Sequence, residues 1–518
     1  MILGKPFRDP AAPESPFHAT TLDDLFRRAA ERRGDAIALV DPPDRRAFTD
    51  GAPRRLTYGE ADRVITALAA RLTQLGLNTD AVVALQLPNT VESALVILAV
   101  LRAGMIAVPL PLLWRQSEAV RALGRIGARA LITCRRIGPA DHGEIAMHVA
   151  AETFTIRFLC TFGDEPLDGF ASLDDVFGAE AAAKSLPIER TGNPADHVAL
   201  VTFDVTADGL VPVARSHAEL IAGGLAVVMG ARIGRDSCLL TALTTCSFAG
   251  LCTSVVPWLI CGGTLSLHQP FEGASFAAQF HDGCDVAVLP GPLIARLSEA
   301  GLLEGRDKTF ISVWRAPERA AASPAWTSRD NCLVDVLTFG EIGLVANPRA
   351  AEGKLAPVKA GKIAMKRGDG DGLILLEIAR SEAGTVALGG AMVPRHPFPP
   401  GIERNGAARL KVSDDGVVDT AYPCAVDRAS GVVTVNGPPA GIVSIGGYRF
   451  VLRELQEFIA GVAEGSTLAA LPDGLSGHRL AGVATDREAV RRALVEQGVN
   501  PLVVEAFRER RGDRASAA

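Results

Sequence analysis

Between Thr20 and Thr133 the chain alternates two hydrophobic periods, and that alternation constrains the fold more than any other feature. Thr21 followed by Asp24 is an acidic variant of a capping box, and it opens a helix with Leu22, Leu25, Phe26 and Ala29 on one face. Thr57 with Glu60 opens a second helix through Ala61, Val64, Ile65, Leu68, Leu72 and Leu75. Residues 82–87 read as a strand. A helix then starts after Pro88 and runs through Val91, Leu95, Leu98 and Leu101 until Gly104 stops it. Residues 105–110 and 130–133 are two more strands. Helices alternating with short apolar runs predict an α/β class, a parallel sheet with helices on its faces.

At 518 residues the chain exceeds one ordinary domain and suffices for a large core plus a smaller piece. A net charge of -6 excludes the electrostatic footprint of nucleic-acid or anionic-membrane binding. Nine cysteines without a C-x-x-C pair point to reduced thiols and a cytoplasmic setting, and no metal-ligand spacing is visible. The first residues lack the apolar run of a secretory signal. Residues 237–271 carry no charge, but their Thr, Ser, Pro and Gly-Gly interruptions predict strand, buried helix and strand, with no membrane span.

Residues 201–217 read Val-Thr-Phe-Asp-Val-Thr-Ala-Asp-Gly-Leu-Val-Pro-Val-Ala-Arg-Ser-His. A buried strand at 198–203 and a helix beginning near Ser216 bracket a loop, the place where an α/β protein usually holds phosphate. A phosphate cradle needs glycines for close backbone approach and a lysine for charge. This loop offers Thr206, Asp208 and Gly209 with Asp204, and no lysine. At about 5 Å and an effective dielectric near 20, each carboxylate opposes a phosphate charge by about 3 kcal/mol. Arg215 offsets part of that.

In position and neighbours this segment resembles the signature loop of the acyl-adenylate-forming family, the acyl- and aryl-CoA ligases, adenylation domains and luciferases. Aligned without gaps from Ser216-His217, the family's Ser, two Gly and Lys fall on Asp204, Val205, Asp208 and Val211. Leu56-Thr57-Tyr58-Gly59-Glu60 and Leu101-Arg102-Ala103-Gly104 through Leu110 resemble the family's opening, and Ile445-Gly446-Gly447-Tyr448-Arg449-Phe450 resembles its carboxyl-terminal "vxGyrv". The resemblance implies a large adenylate-forming-type domain over 1–436, a hinge-like Gly-Pro-Pro-Ala-Gly linker at 437–441, and a shortened α+β cap over 442–518.

The same alignment places the family's functional positions. The aromatic and His of its acyl-pocket gate fall on Cys246 and Ser247, with Gly250 retained. The double glycine beside adenine becomes Trp314-Arg315, where Trp314 either packs in the core or stacks on another planar ligand. Glu341 stands where the family holds Mg²⁺, and the alternative for a Glu after Gly at a strand end is a helix cap. The ribose-binding Asp becomes Tyr422, a phenol in place of a bidentate acceptor. The hinge Arg and Asp become Pro438 and Ala440. Residues 354–366 hold four of the eight lysines and read as a solvated loop. Lys411 is the last lysine, and no "PrTxsGKxxR" segment follows Asn500-Pro501.

Two functions follow. In one, the protein is impaired in ATP-dependent carboxylate adenylation and binds a small carboxylic acid, an acyl-CoA or an acyl carrier protein, with no cofactor. In the other, it is an active acid-thiol ligase that uses ATP and Mg²⁺ with Arg215, Glu341 and Arg449.

Overall fold

Both capping boxes close. Thr21 Oγ1 accepts from the Asp24 N–H at 3.1 Å while Asp24 accepts from the Thr21 N–H at 2.8 Å, and Thr57 and Glu60 do the same at 3.2 and 2.8 Å. They start the helices Leu22–Arg33 and Tyr58–Gln74. Every residue of the next helix, Val91–Arg102, is buried, and Gly104 follows it at φ +71°. The computed structural model describes residues 17, 19–163, 165, 167–178, 190–367 and 370–508.

The fold is α/β, a large multi-sheet region followed by a smaller α+β unit. A seven-stranded sheet runs Gly209–Ser216, Val198–Thr206, Ile106–Pro109, Val82–Gln86, Ala130–Cys134, Phe158–Phe162, Ala171–Ser172. Apart from its first pair it is parallel. A second sheet of eight strands has a parallel interior through Cys238–Thr241, Val286–Pro290, Thr309–Trp314 and Cys332–Phe339, closed by antiparallel edges. One apolar cluster takes residues from both sheets and from the helices 22–33, 58–74 and 91–102, so the two sheets share a core. An antiparallel sheet of five strands spans 361–435, and a four-stranded one spans 442–483. The last has its own core around Ile459, Leu468, Leu480, Leu494 and Phe507.

The uncharged stretch forms the strand Cys238–Thr241, a helix over 248–261 with a π turn at Leu251–Val255, and the strand Thr264–Leu267, as its interruptions predict. Among the described residues no helix is long and apolar enough to cross a membrane.

Two expectations are corrected. The segment after Phe203 is a hairpin: Val198–Thr206 pairs antiparallel with Gly209–Ser216, down to Thr206 opposite Gly209. The cause is readable afterwards. Ala207-Asp208 make the turn, Gly209 follows it at φ +106°, which glycine adopts freely, and Val211 and Val213 suit a buried strand. Ser216 then caps the helix His217–Gly230, its reciprocal bonds with Glu219 measuring 3.2 and 2.9 Å. The lysine-rich stretch is also only half loop, because Lys362 and Lys366 are exposed on the strand Gly361–Arg367.

Candidate functional site

The hairpin carries Asp204 inward. Its side chain is buried and accepts from the Glu341 N–H at 3.0 Å, from the Val205 N–H at 2.8 Å, and from the Arg449 guanidinium. Arg449 belongs to the strand Tyr448–Val451 of the four-stranded sheet, so this ion pair joins the small unit to the large one. Gly340, at φ +57°, leaves the room: a Cβ there would stand 2.2 Å from Asp204 Oδ2 and 2.8 Å from Arg449 Nη1. Burial is the largest influence on the Arg449 pKa and would lower it, but the charge and hydrogen bond of Asp204 together with Tyr422 and Glu341 outweigh it and the net shift is upward.

Glu341 follows at the turn between Cys332–Phe339 and Gly343–Pro348. Its carboxylate accepts from the Phe248 N–H at 2.6 Å, which satisfies a free donor at the start of the 248–261 helix. Burial, and then the charge of Asp204, push its pKa up, while the Phe248 N–H and Arg315 pull it down. Ser247 caps the same helix, accepting from the Gly250 N–H at 3.1 Å, and also accepts from Arg315 Nη2 at 2.6 Å. Gly250 has no space for a side chain, since a Cβ would lie 1.9 Å from the Thr244 carbonyl.

Arg315 also reaches across the junction, donating to the Gly447 carbonyl at 3.4 Å. Tyr422 is buried under it, edge-on to Phe339 at 5.6 Å, with the Arg449 guanidinium 5.6 Å from its ring. Burial pushes the Tyr422 pKa up to about 12. Trp314, beside Arg315, is a core residue. Its indole N–H donates to Asp335 at 2.9 Å, Asp335 pairs with Arg349 at 2.8 Å, and the ring packs so closely that a Cβ on Gly291 would meet it at 2.4 Å.

Arg215 is buried with its guanidinium on backbone carbonyls, those of Met392, Glu341 and Ile342, and stacks 3.6 Å from the centre of the Phe248 ring. Thr206, Asp208 and Gly209 do not join this cluster. They form the hairpin turn, where Asp208 pairs with Lys411 at 2.8 Å and both side chains are exposed. Cys246 stands beside the cluster, within the field of Arg315 and Glu341, and lines a crevice of about 10 Å³ walled by Leu85, Leu87, Ile97, Pro109 and Leu112 with Ser93, Thr244 and Thr245. That crevice opens past the carboxyl ends of two parallel strands, the usual ligand position in such sheets. Burial raises the Cys246 pKa.

Among the described residues no three His, Cys, Asp or Glu side chains gather as a metal site. Reading by alignment missed Asp204 as a bonding centre and Tyr448, whose hydroxyl accepts from the Leu113 N–H at 3.2 Å. The only sequence signal for either was a carboxylate in a loop position and the Gly-Tyr-Arg match.

Residues 26–309 match the AMP-binding enzyme family. The chain is 29% identical over 281 residues to a salicyl-AMP ligase / salicyl-S-ArCP synthetase of Mycobacterium tuberculosis, covering 54% of this chain and 47% of that protein. It is 27% identical over 258 residues to a 2-hydroxy-7-methoxy-5-methyl-1-naphthoate–CoA ligase of Streptomyces carzinostaticus, covering 48% and 44%. The matched segments thus span about half the length of these relatives. In fold, apo MbtA of Mycobacterium smegmatis superposes with TM-score 0.62 at 21% identity, over 93% of this chain and 90% of that one. The fused adenylation-PCP di-domain NpsA-ThdA from Klebsiella oxytoca does so with TM-score 0.67 at 16% identity, over 94% and 93%.

Proposed function

The chain belongs to the AMP-binding enzyme family, and on that premise we propose that it binds an acyl or aryl group, as a free acid or as a thioester on CoA or a carrier protein, without adenylating it. The observation that carries this reading is Asp204. A carboxylate aligned with the family's phosphate loop, tied to Arg449 and to the Glu341 N–H, takes up donors that would otherwise meet phosphate.

Three further observations support it. Trp314 fills the position of a glycine and is fixed there by Asp335. Tyr422 is buried under Arg315 where the family accepts from ribose hydroxyls. Glu341 spends a carboxylate oxygen on a helix terminus. The residues present therefore do not fit Mg-ATP. What remains is the narrow crevice beside Cys246 at the ends of parallel strands, whose Leu85, Leu87 and Ile97 wall would have to part to take an acyl or aryl body. The names of the matched relatives include an aryl acid passed to a carrier protein and an aryl acid joined to CoA.

An active acid-thiol ligase is the second reading. Glu341 and Arg449 are present, and those same relatives are ligases. Pyrophosphate exchange into ATP over a panel of aryl and alkyl acids separates the two. The first reading expects no exchange and no thermal shift with Mg-ATP, together with a shift from acids or acyl thioesters. Exchange above background with any acid overturns it.

A further inference from the structure

The Cys238 and Cys284 thiols lie away from the cluster above, at the amino ends of the neighbouring parallel strands Cys238–Thr241 and Val286–Pro290. Their sulfurs are 3.0 Å apart. The backbone around them is held by reciprocal bonds: the Cys238 N–H donates to the Asp285 carboxylate and the Asp285 N–H to the Cys238 carbonyl, each at 2.9 Å. A disulfide of about 2.05 Å needs the sulfurs to close by about 1 Å from their 3.0 Å separation. Among the described residues no other two cysteines come within hydrogen-bonding distance.

We propose that Cys238 and Cys284 are a redox-modification site, a dithiol that a peroxide converts to a disulfide stapling these two strands. The Cys238 thiolate attacks one peroxide oxygen and the O–O bond breaks. The leaving oxygen departs as water or an alcohol, and Cys238 becomes a sulfenic acid. The Cys284 sulfur then attacks the Cys238 sulfur, the S–O bond breaks, and the hydroxyl leaves as water with the Cys284 proton. Two thiols and one peroxide give one disulfide, one water, and a second water or an alcohol.

The surroundings select this pair. The hydrogen bond from the Cys284 thiol, helped by Arg55 and Lys308, holds the Cys238 pKa below its ordinary value against burial and the charge of Asp285, and Cys238 is partly exposed. Burial pushes Cys134 and Cys160 up to about 12 and Cys261 up to about 11, and raises Cys246, Cys252, Cys332 and Cys424. Cys332 is the exposed thiol that serves as an internal control.

The test is native treatment of the full chain with stoichiometric hydrogen peroxide, then alkylation, intact mass and peptide mapping. The expected result is a loss of two hydrogens, a single 238–284 cross-link reversed by dithiothreitol, and a raised melting temperature. All three are absent in Cys238→Ser and in Cys284→Ser. Cys238→Ser, at the partly exposed position, keeps the test decisive should the buried substitution fail to fold. Sulfinic or sulfonic acid at Cys238 or Cys332 without the cross-link, or a cross-link elsewhere, overturns the proposal.

Discussion

Asp204 and Arg449 stand 245 positions apart in the chain and form a buried ion pair that joins the hairpin of the large region to the four-stranded sheet. Asp204→Ala therefore leaves a guanidinium without its counter-charge, and breaking such a pair costs about 3–5 kcal/mol. It also frees the Glu341 N–H. Asp204→Asn keeps an acceptor for that N–H, so its loss in urea unfolding is expected to be smaller. In both variants the linker at 437–441 should be cleaved faster by a protease than in the parent, because a contact holding the small unit in place is gone. Equal cleavage rates would contradict this.

Trp314 offers a second check. Trp314→Phe keeps most of the ring and removes the donor to Asp335, while Arg349 still holds that carboxylate. The expected cost is about 1–2 kcal/mol. Trp314→Gly restores the letter that the family carries and should cost about 3–5 kcal/mol for the cavity. Neither variant is expected to gain a thermal shift with Mg-ATP, because Asp204 and Tyr422 are untouched. A shift in the glycine variant alone would make Trp314 the single obstacle to nucleotide.

Local chemistry explains which parts of this architecture could be read in advance. The boxes at Thr21 and Thr57 are signals contained within four residues, and both close as read. The stop at Gly104 and the strand-helix-strand division of residues 237–271 rest on the same kind of signal. The hairpin was missed because its strand pairing competes with a loop expected from the aligned family, although Gly209 after Ala207-Asp208 marks the turn. Long-range pairings were beyond reach. Nothing in the neighbourhood of Trp314 announces Asp335 or Gly291, and nothing near Glu341 announces Phe248. These tertiary partners decide whether a residue in a functional position is available to a ligand.

Glu219 gives a prediction in pH. It caps the His217–Gly230 helix from a buried position facing Arg215 and Arg395, and burial pushes its pKa up to about 7 from the ordinary 4.5. Between those values the folded chain holds a proton on Glu219 that the unfolded chain has released, so the contribution of this carboxyl to stability falls as pH rises through the window, against the rising contribution of the buried His217 and His142, whose pKa values burial pushes down to about 3. The slope integrates to about 3 kcal/mol. Asp41, pushed up to about 6 chiefly by burial, adds in the same direction. Glu219→Gln retains an acceptor for the Ser216 N–H and should remove this contribution, so that the variant's stability rises relative to the parent's as pH goes from 4.5 to 7. Denaturation midpoints across that range measure it, and an unchanged slope would remove Glu219 as the source.

Arg215 distinguishes a structural cation from an anion receptor. Its guanidinium donates to the carbonyls of Met392, Glu341 and Ile342 and lies flat on Phe248. A lysine carries the same charge but lacks the planar fork and the stacking face. If Arg215 serves by pinning the Glu341 turn, Arg215→Lys should lose about 2–4 kcal/mol in urea unfolding through unmet carbonyls and lost packing. The Phe248 N–H bond depends on that turn, so amide exchange at the start of the 248–261 helix should rise in the same variant. If Arg215 instead waits for an anion, the lysine variant keeps its stability and exchange protection and changes only ligand affinity. Measuring all three on one preparation assigns the role, because only the pinning role moves stability and exchange together in the absence of ligand.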